Sequence, residues 1–138
     1  MIKYSRQREA IIRYLHGRTD HPSAEKIYRD LRLEYPNISL GTVYRNLNLL
    51  SESGHLLRIP MDNASDRFDP DTHPHYHFVC RQCGCVEDIP MTVMNSLNQL
   101  AEAHVGGQVE THSLIFHGLC TPCSQKQSDF QQFPENEP

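Results

Sequence analysis

Three histidines and three cysteines lie within thirteen residues near the middle of the chain, in the segment HPHYHFVCRQCGC at positions 73–85. Imidazole nitrogens and thiolate sulfurs are the usual protein ligands of zinc and of the first-row transition metals. The segment therefore predicts metal binding, at one mixed site or at two separate sites. Its cysteines alone would also allow a redox centre.

The cysteines form two C-x₂-C pairs, Cys80/Cys83 and Cys120/Cys123, separated by 36 residues. Four thiolates at this spacing are typical of a closed tetrahedral site for structural Zn²⁺. A thioredoxin-like redox pair or inert buried thiols would explain one such pair, but two matched pairs in 138 residues favour zinc. Cys85 is left without a partner, and we expect it to be a buried structural thiol.

The histidines indicate a second site with harder ligands. His75 and His77 lie two residues apart in an alternating aromatic and β-branched segment that predicts a strand, so they point to one face. Asp69 and Asp88 are the nearest carboxylates, and His21 precedes a predicted helix in the first half. Such ligands suit Fe²⁺ or Mn²⁺, and also Zn²⁺, Co²⁺ or Ni²⁺. From the residues alone, ordinary core or surface histidines remain an alternative.

Charge is distributed unevenly along the chain. Residues 1–60 contain ten Lys/Arg and six Asp/Glu, whereas residues 61–138 contain three and eleven. A basic half suits a polyanion and an acidic, His/Cys-rich half suits cations. No apolar run approaches the roughly 18–20 residues that span a bilayer, and no signal peptide is recognisable. We therefore expect a cytoplasmic protein with reduced thiols and no membrane partner.

Three serines, Ser5, Ser23 and Ser39, each precede an amphipathic segment and are predicted to cap three helices. A predicted β-hairpin with its tip at residues 62–65 follows the third helix. Three short helices and a hairpin predict a winged helix-turn-helix domain at residues 1–70, whose third helix enters the DNA major groove. Three amphipathic helices with solvated faces are the alternative. The predicted DNA-contacting residues are Ser39, Thr42, Tyr44, Arg45 and Asn46.

The second half predicts a small α/β domain at residues 71–123, so the fold class is α+β. Two strands at 75–80 and 84–89 precede a helix at 91–104, and a third strand lies within 108–120. The polar, Gln-rich segment 124–138 is predicted to be disordered. The helix is expected to bury Met94, Leu97, Leu100 and Ala101.

Together these motifs resemble the ferric uptake regulator (Fur) superfamily of metal-dependent repressors. The resemblance rests on HPSAEKIY, SLGTVYRNLNLLSESG, DRFD, HYHFVCRQCG and the final C-x₂-C. It implies an N-terminal winged helix, a C-terminal dimerisation domain, a homodimer and a double-stranded DNA operator. It also implies structural zinc at Cys80, Cys83, Cys120 and Cys123, and regulatory Fe²⁺ or Mn²⁺ at His21, Asp69, His75, His77 and Asp88.

Aspartate at positions 69 and 88 resembles the peroxide-sensing branch, PerR, whereas iron sensors usually have Glu there. This resemblance implies that H₂O₂ reacts at bound iron, that His21 and His75 become 2-oxo-histidine, and that the repressor then leaves DNA. Such sensing is stoichiometric, so an enzyme is not expected. An iron- or manganese-level sensor of the same superfamily is the alternative.

Two further readings concern the remaining histidines and another class of protein. His112 and His117 match positions that other branches sometimes use for metals, but Pro74, Tyr76 and Asn95 do not supply the accompanying ligands, so we expect structural roles. A zinc hydrolase would need water activated at a His₂/Asp site. The chain has no H-E-x-x-H motif and no positioned Glu base.

Overall fold

The computed structural model describes residues 5–62 and 64–130, with side chains through position 126. The chain divides into two compact units between His73 and Pro74. This boundary lies three residues after the one predicted from the sequence. No helix in these described ranges is long and apolar enough to cross a membrane.

The first unit begins with three helices, α1 (Arg6–Leu15), α2 (Ala24–Leu31) and α3 (Leu40–Glu52). The three serine caps are confirmed, since each hydroxyl accepts a hydrogen bond from the backbone N–H three residues later, at 3.1–3.3 Å. Such a bond satisfies one of the free N–H groups at a helix start. The helices therefore begin where the sequence places them.

A short antiparallel hairpin follows α3 and consists of β1 (Leu57–Ile59) and β2 (Arg67–Asp69). It is the predicted wing, and Asn63 of its predicted tip lies outside the described residues. The return strand is also attached to the residues before α2, because the Phe68 amide donates to the Pro22 carbonyl at 3.0 Å. The winged helix-turn-helix fold is thereby confirmed.

The core of the first unit is apolar and closed. Ile11, Ile27, Val43 and Leu47 are fully buried, and Phe68 of the wing packs into the same cluster. These residues come from all three helices and from β2, at the spacing of one buried face per element. The core fixes the orientation of α3, on which the predicted DNA contacts lie.

The second unit contains a three-stranded sheet of order β4-β3-β5, with β3 (Tyr76–Cys80) at its centre. The hairpin partner β4 (Val86–Ile89) is antiparallel to β3, and β5 (Ile115–Gly118) is parallel to it. A parallel neighbour needs a crossover connection, and α4 (Ser96–Glu102) lies within that connection. An α+β architecture is confirmed.

The helix of the second unit differs from the prediction. It covers Ser96–Glu102 and buries none of its residues, whereas Leu100 is 64% exposed and Met94, which precedes the helix, is 47% exposed. Its start is displaced because the Met94 amide donates to the Tyr76 hydroxyl at 2.8 Å and Asn95 makes no side-chain cap. The spacing of the apolar residues correctly indicated an apolar helix face. In a single chain, however, this face is exposed and is not part of the core.

The C-terminal segment that was predicted to be disordered begins in a helix, since residues 124–130 belong to α5 (Thr121–Phe130). The helix starts inside the second cysteine pair, and the Ser124 amide donates to the Cys120 carbonyl at 2.8 Å. Forming the first turn is the costly step of helix formation, and here the buried cysteines hold that turn. The remainder of the predicted tail, 131–138, lies outside the described residues.

Core truncation in the first unit should be costly. Ile27 is 0% exposed and Ile12 is 40% exposed, so they form a matched pair of isoleucines in helices. We expect Ile27→Ala to lower the free energy of unfolding by about 2–5 kcal/mol and Ile12→Ala to change it by less than about 0.5 kcal/mol. Urea unfolding followed by circular dichroism measures both. Equal effects of the two variants would contradict the assigned core.

Candidate functional site

The four cysteines of the two C-x₂-C pairs form one cluster, with all sulfurs within 4.8 Å of one another. Cys80 is at the end of β3, Cys83 is in the turn after it, Cys120 directly precedes α5, and Cys123 lies in the first turn of α5. The Cys83 and Cys120 sulfurs are 3.8 Å apart. Tetrahedral zinc with Zn–S bonds of about 2.3 Å requires sulfur separations of about 3.8 Å. The donor set and its spacing therefore fit structural zinc.

The turn between the first two cysteines is built to bring their sulfurs together. Gly84 adopts a left-handed conformation with φ 79°, which favours glycine, and its amide donates to the Cys80 carbonyl at 2.9 Å. The Cys83 amide points at the Cys80 sulfur from 3.5 Å. This N–H lowers the pKa of the Cys80 thiol to about 6, so Cys80 is a thiolate near neutral pH.

Cys85 behaves differently from the four clustered cysteines. It is half-buried rather than fully buried as predicted, and it packs against the cluster with its sulfur 3.8 Å from a Glu87 carboxylate oxygen. Burial raises the pKa of the Cys85 thiol to about 12. Its sulfur does not belong to the group of four sulfurs that lie within 4.8 Å of one another.

A buried imidazole–carboxylate pair lies in the first unit. The Nε2 atom of His21 is 3.2 Å from Oδ2 of Asp69, and both residues are 1% exposed. The second Asp69 oxygen accepts the Asp71 amide at 2.9 Å, and Arg67 Nε donates to the His21 carbonyl at 2.6 Å. The wing strand β2 thus holds both members of the pair in place.

Three more donors converge in the second unit. His75 and His77 flank Tyr76 and point to one side of the sheet, and the cross-strand partner of His77 is Asp88 on β4. The Nε2 atoms of His75 and His77 are 3.1 and 3.4 Å from the same Asp88 oxygen, Oδ1. Two imidazoles and one carboxylate on one face are the donor set of non-haem Fe(II) sites with open coordination positions. The donors fit Fe²⁺ and also accept Mn²⁺.

The predicted DNA-contacting residues on α3 divide into two groups. Ser39 and Arg45 are exposed, and Thr42 lies between them, accepting Arg45 Nη2 at 3.1 Å and bonding the Ser39 hydroxyl at 3.0 Å. These three polar side chains form one surface at the N-terminal end of α3. Such a surface can contact base edges or phosphates.

Tyr44 and Asn46 do not belong to that surface. Asn46 is 8% exposed, accepts Arg8 Nε at 3.0 Å and donates to the Thr42 carbonyl, so its amide is bonded within the first unit, which does not favour the predicted DNA contact. Its position, three residues after Val43, places it beside the buried stripe. Tyr44 is half-buried, and its hydroxyl donates to a Glu25 oxygen at 2.7 Å.

The remaining histidines have separate surroundings. His112 bonds Tyr76 Oη through Nε2 and Asn98 Oδ1 through Nδ1, both at 2.7 Å, which agrees with a structural role. His117 is exposed on β5. Sequence reasoning missed the Glu25 contact with Tyr44, because no local pattern joins residues 19 positions apart.

The sequence and the fold are both similar to those of known regulators. The sequence matches the ferric uptake regulator family over residues 1–117. It is 37% identical over 125 residues to the peroxide-responsive repressor PerR of Staphylococcus aureus, covering 91% of this chain and 84% of that protein. The fold is similar to the Campylobacter jejuni peroxide stress regulator, with a TM-score of 0.71, 32% identity, and 85% and 88% coverage of the two chains.

A second solved structure gives a match of the same quality. The Vibrio cholerae ferric uptake regulator aligns with a TM-score of 0.71 and 31% identity, over 86% of this chain and 92% of that chain. Relatives described as peroxide regulators and as ferric uptake regulators are therefore both similar to this chain at more than 30% identity.

Loss of one clustered cysteine should release zinc. We expect Cys80→Ser or Cys123→Ser to lose about one equivalent of tightly bound Zn²⁺ and to destabilise the second unit, because metal binding supplies folding free energy to small domains. Cys85→Ser is the matched control and should retain zinc. Zinc content by mass spectrometry after dialysis measures the effect. Full zinc in Cys80→Ser would defeat the assignment.

Proposed function

This chain belongs to the ferric uptake regulator family, and from that membership we propose that it is a metal-dependent repressor that senses hydrogen peroxide in the cytoplasm. The proposal rests on one observation above all. His75, His77 and Asp88 form a compact set of harder donors, separate from the four cysteines. Soft thiolates suit a permanent zinc ion, whereas imidazoles and carboxylates suit an exchangeable Fe²⁺ or Mn²⁺.

We propose that His21 and Asp69 complete the ligand set of this regulatory metal. The second-unit donors supply three ligands, fewer than the five or six that Fe²⁺ or Mn²⁺ accept. The His21–Asp69 pair offers two more, already 3.2 Å apart and shielded from water. Ligands from both units would make DNA binding depend on the metal, because the reading helix α3 belongs to the unit that contributes His21 and Asp69.

The two proposed carboxylate ligands, Asp69 and Asp88, support sensing of peroxide rather than sensing of metal level. Both proposed carboxylate ligands are Asp, as in the peroxide-sensing branch that the sequence resembles. Similarity to a peroxide-responsive repressor at 37% identity agrees with this choice. The second candidate function is sensing of iron or manganese level, which the similarity to a ferric uptake regulator favours. The two differ in whether peroxide or metal withdrawal releases the DNA.

Each protein group has a defined part in the proposed response. Ferrous iron held by these residues would supply the electrons that reduce H₂O₂ beside the ligands. Asp69 and Asp88 hold the neighbouring imidazoles in place, and His21 and His75 are the imidazoles that gain oxygen. An oxidised imidazole is a weaker ligand, so the chain would lose the metal and leave DNA. Each event consumes the sensor's own side chains, and we propose that the protein is not an enzyme.

We propose that the repressor acts as a homodimer on double-stranded DNA. In the second unit, Leu100, Val105 and Phe116 are 64%, 52% and 43% exposed, and β5 is an edge strand of its sheet. Exposed apolar side chains beside a strand edge are typical of an interface between subunits. Two copies of α3 would then contact two half-sites of one operator.

Arg45 should carry sequence recognition. If its guanidinium contacts a guanine edge, Arg45→Ala should weaken operator binding by about 1–3 kcal/mol and leave binding to random duplex nearly unchanged. Fluorescence anisotropy at fixed salt measures both. The control is Arg81→Ala, which removes one positive charge from an exposed residue of the second unit. A loss of equal size on random DNA would show a phosphate contact instead.

Oxidation should be confined to the metal ligands. After about one equivalent of H₂O₂, which supplies one oxygen atom per protein molecule, peptide mass spectrometry of the Fe²⁺-loaded protein should find single oxygen additions divided between His21 and His75. The Mn²⁺-loaded protein should gain none, since Mn²⁺ does not readily reduce peroxide. His112 and His117, which are not proposed ligands, are internal controls and should stay unmodified. Oxygen appearing first on Cys80 or Cys83, with zinc release, would indicate a thiol-based sensor.

A further inference from the structure

Glu25 lies in the first turn of α2 and connects two elements that are distant in sequence. Its Oε2 atom accepts the Tyr44 hydroxyl of α3 at 2.7 Å and the Ser65 hydroxyl of the β1–β2 connection at 3.1 Å. Ser65 is 40 residues away along the chain. One carboxylate oxygen therefore joins the middle of α3 to the wing.

Both elements are the DNA-facing parts of a winged helix. Glu25, which is bonded to both elements, does not lie on the exposed surface formed by Ser39, Thr42 and Arg45. We propose that Glu25 is a positioning residue for DNA recognition, which fixes α3 relative to the wing without contacting DNA. This inference rests on the proposed DNA-binding function, and it involves the first unit alone.

The ionisation and the hydrogen bonds of the Glu25 carboxylate favour a role in positioning α3 and the wing. Donation by Tyr44 lowers the pKa of Glu25, so the carboxylate is ionised near neutral pH and its hydrogen bonds are charge-assisted. Its other oxygen, Oε1, is buried and has no hydrogen-bond partner among the described residues. A buried unpaired carboxylate oxygen costs free energy. The same position filled by an apolar side chain would avoid that cost but would lose both bonds.

The contact also constrains Tyr44. Its hydroxyl hydrogen is donated to Glu25 and is therefore not available to a DNA phosphate. Glu25 itself is negatively charged and would repel a phosphate, which excludes a direct phosphate contact as its role. A favourable contribution of Glu25 to binding must therefore pass through its hydrogen bonds with Tyr44 and Ser65.

The test compares specific and non-specific DNA binding. The probe is a duplex enriched by the Mn²⁺-loaded wild-type protein from a random-sequence pool, and the unselected pool is the non-specific reference. We expect Glu25→Ala to bind the enriched duplex about tenfold more weakly and the pool unchanged, while Glu25→Gln, which keeps an acceptor oxygen, stays within about threefold. The matched control, Glu34→Ala, removes the same charge from an exposed position and should bind the enriched duplex like wild type.

Two single-bond variants separate the two contacts. Tyr44→Phe and Ser65→Ala each remove one donor, and the effect of Glu25→Ala combined with Tyr44→Phe should be smaller than the sum of the two alone, because they share an interaction. If Glu25→Ala, checked by circular dichroism, fails to fold, Tyr44→Phe and Ser65→Ala decide the question alone: each should weaken binding of the enriched duplex and leave the pool unchanged, and no effect of either would overturn the proposal. Additive losses in the double variant would overturn the proposal.

Hydrogen exchange of the DNA-free protein gives a readout that does not depend on the operator. Amides of residues 57–69 should exchange faster in Glu25→Ala and Ser65→Ala than in Glu25→Gln. Unchanged exchange, unchanged binding of the enriched duplex, or an equal loss on the unselected pool would each overturn the positioning role alone. If the wild-type protein enriches no sequence, the proposed DNA-binding function falls, and the recognition role of Glu25 falls with it.

Discussion

The central strand β3 is the constraint on which both candidate metal centres depend. It carries His77 within it and Cys80 at its end, and it is bonded to β4 on one side and β5 on the other. Because side chains alternate along a strand, His77 faces Asp88 while the neighbouring Tyr76 is buried on the opposite face, 1% exposed. A shift of β3 by one residue would exchange these faces and dismantle the imidazole set.

The separation of soft and hard ligands follows from the same strand. Cys80 belongs with the turn that leads through Gly84, whereas His75 and His77 belong with the alternating part, so the thiolates and the imidazoles form two groups. The cysteine cluster joins β3 to α5 and packs with Phe78 and Leu119. A sheet of three short strands has little apolar area to bury, and a cluster that binds zinc would supply the missing stability. Zinc bound by the cysteines would then hold β3 in the position in which His75, His77 and Asp88 converge.

Local patterns predicted local structure, and the errors arose where tertiary contacts decide. The serine caps, the wing and the cysteine cluster could be predicted, because the types and the spacing of their residues are characteristic of these features. The helix at 91–104 was overextended because periodicity records an apolar face but not its partner, and Leu100 is exposed in the single chain. Asn46 looked like a DNA contact by polarity alone, yet Arg8 of α1 binds its amide oxygen. The helical residues after Cys123 continue a turn that the cysteine cluster holds, which composition cannot reveal.

The first unit ties one proposed ligand directly to the wing. His21 adopts φ 51°, a left-handed conformation that costs a non-glycine residue about 1–2 kcal/mol. The conformation is held by Arg67, whose Nε donates to the His21 carbonyl, and by the adjacent Phe68–Pro22 backbone bond. Both donors are on β2, the strand that also carries Asp69. The backbone of the proposed ligand His21 and the strand of the wing therefore share hydrogen bonds. A displacement of His21 would strain these bonds, so the position of the wing and the state of this imidazole are linked within a single unit.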